Sequence, residues 1–121
     1  MRSKPTRRPD RGEIWIADLN PRQGTEPGKR RPVLIFQARA LLEVGHPSTL
    51  VIPMTTNLIA DAEPLRIRIP AKERLKRDSD LLIDQLRAID NRRLSRGPVA
   101  HLSADLMSKV GGAIQDVLGL R

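Results

Sequence analysis

Two short stretches carry the groups best suited to act on a phosphate. The first is KRRP, Lys29 to Pro32, at the end of a run that holds Pro21, Gly24, Pro27 and Gly28. Pro32 restricts the residue before it to extended backbone. Arg31 therefore stands with a rigid strand on one side and a loop on the other. A guanidinium held in that way offers five donors to an oxyanion. The second stretch is TTN, Thr55 to Asn57, directly after the apolar run TLVIPM. Hydroxyls at a strand end can donate to a phosphate oxygen. Gln85 and Arg87, alternating with apolar neighbours, form a third candidate group on one face of a strand.

Each group also has a plainer use. Arg31 can pair with a carboxylate such as Glu26 or Asp84. Thr55, Thr56 and Asn57 can hydrogen-bond their own backbone as turn residues. Arg87 can form a salt bridge to a neighbouring strand. Other chemistries lack their residues. There is no cysteine, so thiolate catalysis and disulfides are excluded, as suits a reducing cytoplasm. His46 and His101 lie far apart, and no HExxH, P-loop, GxGxxG or GxSxG occurs. No metal site is expected, and the two histidines read as surface or loop residues.

The elements that must position these groups follow from periodicity and breakers. RGEIWIADLN (Arg11 to Asn20) alternates, with Ile14 and Ile16 on one face and Trp15, Ala17 and Leu19 on the other. Asn20-Pro21 ends it, and residues 20–30 form a long loop of the kind that often carries function. Strands are predicted at Pro32 to Phe36, Thr49 to Met54, Leu65 to Ile69 and Asp80 to Ile89. Pro53 suggests that its strand runs along an edge or leaves the sheet there. A short helix is expected at Ala38 to Val44, a helical turn at Ile89 to Arg93, and a break at Gly97-Pro98. The chain closes on a helix capped by Ser103, with Asp105 in its first turn and Leu106, Val110, Ile114, Val117 and Leu118 on one face. Gly111-Gly112 inside it costs about 1 kcal/mol per glycine relative to alanine. Strands without βαβ alternation, followed by one clear helix, point to an α+β, mainly β fold built on a small antiparallel sheet or partial barrel.

The chain has 121 residues, enough for one domain, predicted over 11–121. Residues 1–10 read as a basic flexible arm. Lys and Arg number 22 against 14 Asp and Glu, a formal charge of +8, and the isoelectric point is near 11.2. Such a balance suits a polyanionic partner, nucleic acid first and an anionic membrane next. No apolar run is long enough to span a membrane. Trp15 and Phe36 are the only aromatic residues, so a nucleic acid would be gripped through phosphates and polar base contacts rather than by stacking.

Taken in order, RGEIWIADLNP (Arg11 to Pro21), GTEPGKRRPVLI (Gly24 to Ile35), VIPMTTN (Val51 to Asn57), LLIDQLRAIDNRRL (Leu81 to Leu94) and the terminal helix make the chain resemble the MazF/PemK family of toxins from bacterial toxin–antitoxin systems. The resemblance covers nearly all of Arg11 to Leu120. It implies a strongly curved, SH3-like antiparallel sheet with short helices. It implies a cytoplasmic homodimer that cleaves single-stranded RNA within short sequences, without metal or other cofactor, leaving 2′,3′-cyclic phosphate and 5′-hydroxyl ends. Arg31 and Thr55 match the family's catalytic pair. Glu26 is a candidate base, and Gln85 and Arg87 are candidates for catalysis or substrate binding. Asn20, Lys29, Arg30, Thr56 and Asn57 would contact RNA, with the 20–30 loop as a gate over the groove. The implied protein partner is an antitoxin with an acidic, disordered tail. The rival reading is a non-cleaving toxin or binding module of the same fold, such as a gyrase poison or an RNA binder. The chain departs from the family at Gly111-Gly112 and in its basic arm.

Overall fold

A strand that is apolar on both faces must be covered on both sides, and the first strand sets this rule for the whole sheet. In the computed structural model, which describes residues 8–121 apart from 22 and 27, β1 (Glu13–Asp18) sends Ile14 into one buried cluster and Trp15 and Ala17 into another. β2 (Arg30–Ile35) and β3 (Ser48–Thr55) divide in the same way. Leu34, Ile52 and Met54 join the first cluster; Val33, Ile35 and Val51 join the second. Each such side chain contributes roughly 1.5–3 kcal/mol by leaving water. The short α1 (Arg39–Glu43) closes the second cluster with Leu42.

The sheet has seven strands, all antiparallel where paired. Its order is β4 (Arg66–Ile69), β5 (Ser79–Leu82), β3, β2, β1, β7 (Leu94–His101), with β6 (Arg87–Asp90) also on β3. The α+β, mainly β class read from the sequence is the observed one. β3 is the hub. One edge meets β2, while the other is shared, with Ser48 to Val51 facing β6 and Met54 and Thr55 facing β5. Pro53 lies in the gap between those two partners, where no neighbour asks for its missing N–H. β3 is therefore not an edge strand, contrary to the first of the two readings of Pro53.

Three further expectations are corrected. Residues Asp80 to Ile89 are not one strand. β5 ends at Leu82, a 3₁₀ turn spans Ile83–Gln85, and β6 follows. Ile83 is buried at this corner and its N–H donates to the Leu65 carbonyl, so the apolar pattern runs on through the turn and hides it. Gly97-Pro98 is no break but lies inside β7, an edge strand that tolerates proline. Gly97 is required there because a Cβ would fall 2.4 Å from a ring carbon of the Trp15 indole. Pro32 is the third residue of β2, not the first of a strand, and β3 starts to pair only at Val33.

The terminal helix, α2 (Ala104–Leu118), is capped as expected, with the Ser103 hydroxyl accepting from the Leu106 N–H. Val110, Ala113 and Ile114 are buried in the first cluster, whereas Leu118 is 57% exposed. Gly119 stops the helix in the left-handed conformation. Of the basic arm, residues 1–7 lie outside the described residues. Residues 8–10 are tied to α1, since Arg8 donates to the Glu43 carbonyl and Arg39 pairs with Asp10 at 2.7 Å.

Two glycines make opposite predictions. Gly97→Ala should destabilise by about 1–3 kcal/mol because it overpacks against Trp15. Gly111, where an added Cβ would meet nothing within 4 Å, should gain about 0.5–1 kcal/mol as alanine. Urea melts followed by circular dichroism read both signs.

Candidate active site

Arg31 reaches across the sheet rather than out of it. Its Nε donates to the Gly28 carbonyl and its Nη1 to the Met54 carbonyl, each at 3.1 Å. Two backbone acceptors on different elements thus hold the guanidinium beside the last residue of β3, which is Thr55. The Thr55 hydroxyl accepts the Asn57 N–H at 3.1 Å. That is turn chemistry, and it leaves the hydroxyl proton available to a ligand. Both uses foreseen for Thr55 are therefore compatible.

The loop that enters Arg31 is pinned at its base. Asn20 Oδ1 accepts the Lys29 N–H at 2.6 Å, and the Leu19 N–H donates to the Lys29 carbonyl. Arg93 Nη1 donates to the Asp18 and Asn20 carbonyls at 3.1 and 2.6 Å. Lys29 takes a left-handed φ of 52°, which swings its side chain off the strand direction as β2 begins.

These elements frame an open groove of about 660 Å³. Of the residues singled out in the sequence, Arg31, Thr55, Glu26, Lys29, Asn20 and Gln85 line it. Gln85 does so from the 3₁₀ turn that replaced the expected strand. Arg30, Thr56 and Asn57 are exposed nearby but do not line it. Arg87 does not line it either. It sits on β6 opposite Val51, and its Nη1 is buried with no hydrogen-bond partner among the described residues. Asp84, considered as a partner for Arg31, shares the groove.

One charged groove residue escaped the sequence reading. Arg66 on β4 lines the wall together with Leu65 and Leu82. It is held by Asp80, 1% exposed, which stands directly opposite Thr55 in the β3–β5 register. Asp80 accepts from Arg68 Nε at 2.6 Å, from the Ile59 N–H at 3.0 Å and from Arg66 Nη1 at 3.2 Å. The available signal was Asp80 itself, a charged residue at the head of the apolar run DLLI.

Elsewhere, His101 lies on β7 at 3.0 Å from Glu73, and that contact lowers the Glu73 carboxyl below its ordinary value. His46 is exposed. Among the described residues no three carboxylates or imidazoles converge as ligands for an ion, and no helix is long and apolar enough to cross a membrane. What the groove offers is an anchored guanidinium, a hydroxyl donor, an amide and carboxylates, a set suited to stabilising an oxyanion next to a proton acceptor.

The family described as PemK-like, MazF-like toxin of type II toxin–antitoxin system matches residues 10–118. Endoribonuclease EndoA of Bacillus subtilis is 36% identical over 114 residues, covering 91% of this chain and 94% of that protein. The solved structure of MazF from Deinococcus radiodurans superposes with a TM-score of 0.77 at 27% identity, over 93% of this chain and 98% of that one. A chain from a MazE–MazF structure of the same organism gives 0.73 at 26% identity, over 92% and 96%.

Burial by itself pushes the Asp80 carboxyl up, but its bonds to Arg68, the Ile59 N–H and Arg66 outweigh burial and hold it below the ordinary aspartate value. A carboxyl lower in the folded than in the unfolded state stabilises the fold above about pH 4 and loses that contribution as pH falls through its folded value. Between about pH 7 and pH 3, the wild type should therefore lose more urea stability than Asp80→Asn. Equal losses would place the acid sensitivity elsewhere.

Proposed function

Because the chain belongs to the PemK-like, MazF-like toxins of type II toxin–antitoxin systems, we propose that it is a metal-independent endoribonuclease. It would cut single-stranded RNA to 2′,3′-cyclic phosphate and 5′-hydroxyl ends. The observation that carries this reading is the Arg31 guanidinium, fixed by the Met54 carbonyl one residue before Thr55, in a groove they share.

The chemistry follows from those groups. The ribose 2′-oxygen attacks the adjacent phosphorus as its proton leaves, and the bond to the 5′-oxygen breaks as that oxygen gains a proton. Between these events the phosphorus carries five oxygens and extra negative charge. Arg31 stabilises that charge, and Thr55 donates a hydrogen bond to a phosphoryl oxygen. An arginine stays protonated, with a pKa above about 12, so it is unsuited to removing the 2′ proton. Glu26, a carboxylate on the groove wall, is the base candidate. A guanidinium and a hydroxyl together supply the charge stabilisation for which other nucleases use a metal. Lys29 and Asn20 flank the track where the RNA backbone would pass.

The relative named an endoribonuclease supports RNA cleavage, and the neighbour solved as MazE–MazF supports a protein antitoxin as partner. An antitoxin with an acidic, disordered tail would fold onto the basic groove and compete with RNA. The protein would act as a homodimer in the cytoplasm.

In EDTA, purified protein should cut a mixed-sequence single-stranded RNA at discrete sites with cyclic-phosphate ends. Arg31→Ala and Thr55→Val should each lower the rate by about 10²–10³ while keeping the wild-type circular dichroism spectrum. Intact RNA with folded, antitoxin-free protein would favour a binder over an enzyme, and full activity in Arg31→Ala would sink the site assignment.

A further inference from the structure

Two arginines share one buried carboxylate beside the groove, and only one of them faces it. Arg68 Nε and the Ile59 N–H occupy Asp80 Oδ1 and Oδ2. Arg66 adds a single contact to Asp80 through Nη1, and the same Nη1 donates to the Asn57 carbonyl at 2.8 Å. The Asn57 carbonyl and the Ile59 N–H belong to the segment that follows Thr55. Arg68 Nη2 reaches the Ile59 carbonyl as well, at 3.4 Å. One buried charge therefore ties β4, β5 and the 55–59 segment together, directly across the ladder from Thr55.

The bonding leaves Arg66 with a specific surplus. Its Nε and Nη2 make no hydrogen bond among the described residues, while Nη1 is fixed by two acceptors. The Nε and Nη2 hydrogens form the side-on fork that matches two oxygens of a phosphate. Arg66 lines the same groove as Arg31 and Thr55, with its side chain one-fifth exposed. At Asp80 two guanidinium groups share one carboxylate, so neither arginine has it to itself.

We propose that Arg66 binds a second RNA phosphate, next to the scissile one, and that Asp80 is the positioning residue that presents it. This rests on the ribonuclease reading for its substrate but not on the chemistry of cleavage. It makes the groove two-walled. Arg31 serves the phosphate that reacts, and Arg66 holds a neighbouring phosphate so that the strand lies in register with Thr55. Only Nη1 of Arg66 is committed to the protein, so a lysine at this position would keep the charge and lose the fork.

The test uses a mixed-sequence single-stranded RNA with 2′-O-methyl riboses, which cannot be cut, and reads affinity by fluorescence anisotropy from about 50 to 200 mM salt. One phosphate contact to a single strand contributes about 0.7 to the slope of log affinity against log salt. Arg66→Gln should make the slope shallower by about that amount and weaken binding about tenfold. Arg66→Lys should recover the slope but not the affinity. Asp80→Asn gives the sharpest sign. It removes a negative charge, so electrostatics alone would tighten binding, whereas a positioning role weakens it.

An unchanged slope in Arg66→Gln overturns the phosphate contact, and tighter binding by Asp80→Asn overturns the positioning role. Circular dichroism melts check each variant, and the Arg66 pair decides the contact even where Asp80→Asn does not fold. With cleavable RNA, Arg66→Gln should raise KM far more than it lowers kcat; the reverse split also overturns the assignment. Loss of the ribonuclease reading would appear instead as wild-type protein that binds the methylated RNA yet leaves the cleavable RNA intact.

Discussion

β3 pairs along both edges and changes its outer partner at Pro53, and the groove depends on that change. A strand paired to one neighbour throughout would have no corner. Here the outer edge belongs to β6 up to Val51 and to β5 from Met54. The 3₁₀ turn at Ile83–Gln85 is the chain's way round that corner, and it carries Gln85 into the groove. The Met54 carbonyl at the switch receives Arg31, and Thr55 one residue later meets Asp80. A residue that lacks a donor stands where the ladder leaves one unneeded.

Electrostatics then separates two kinds of cation. Surface pairs such as Arg92 with Asp90, whose carboxyl is lowered to about 2 by Arg92, are held by a single neighbour on an exposed turn. Pairs of that kind add little to stability. Asp80 differs because it is buried and tied to three partners on two other segments. Breaking a buried pair strands a charge away from water, which costs far more than losing a surface one. Arg31 and Arg66 are fixed by acceptors, carbonyls for the first and a buried carboxylate with a carbonyl for the second, and so meet an incoming anion with little ordering left to do.

Much of this was legible in the sequence, for local reasons. Two-faced apolar alternation in RGEIWIADLN and TLVIPM reports burial on both sides, which needs no knowledge of the partners. Ser103 and Asp105 mark the helix start because a cap is a local bond. The proximity of Arg31 and Thr55 came instead from the resemblance to a known family, since no spacing rule joins residues on two strands. What stayed hidden was non-local. Pro53 shows that a donor is missing, but not that the gap between two neighbours would absorb it. Gly97 looked like a break because the indole that needs its bare Cα lies on another strand. Arg66 and Arg68 merely alternate with apolar residues in a predicted strand, and only the fold brings Asp80 beneath them.

The clamp at the base of the β1–β2 loop has one more consequence. Arg93 holds the Asp18 and Asn20 carbonyls, and Asn20 in turn holds Lys29. All but one of these bonds end on backbone atoms, and none uses a side chain from residues 21–28. The intervening stretch is therefore a cassette with fixed ends. Substitutions at its exposed positions, Gln23 and Thr25 among them, change what is presented to a bound strand, whereas Gly28, whose carbonyl holds Arg31, and Glu26, the base candidate, are the two points in it that the reacting groups constrain.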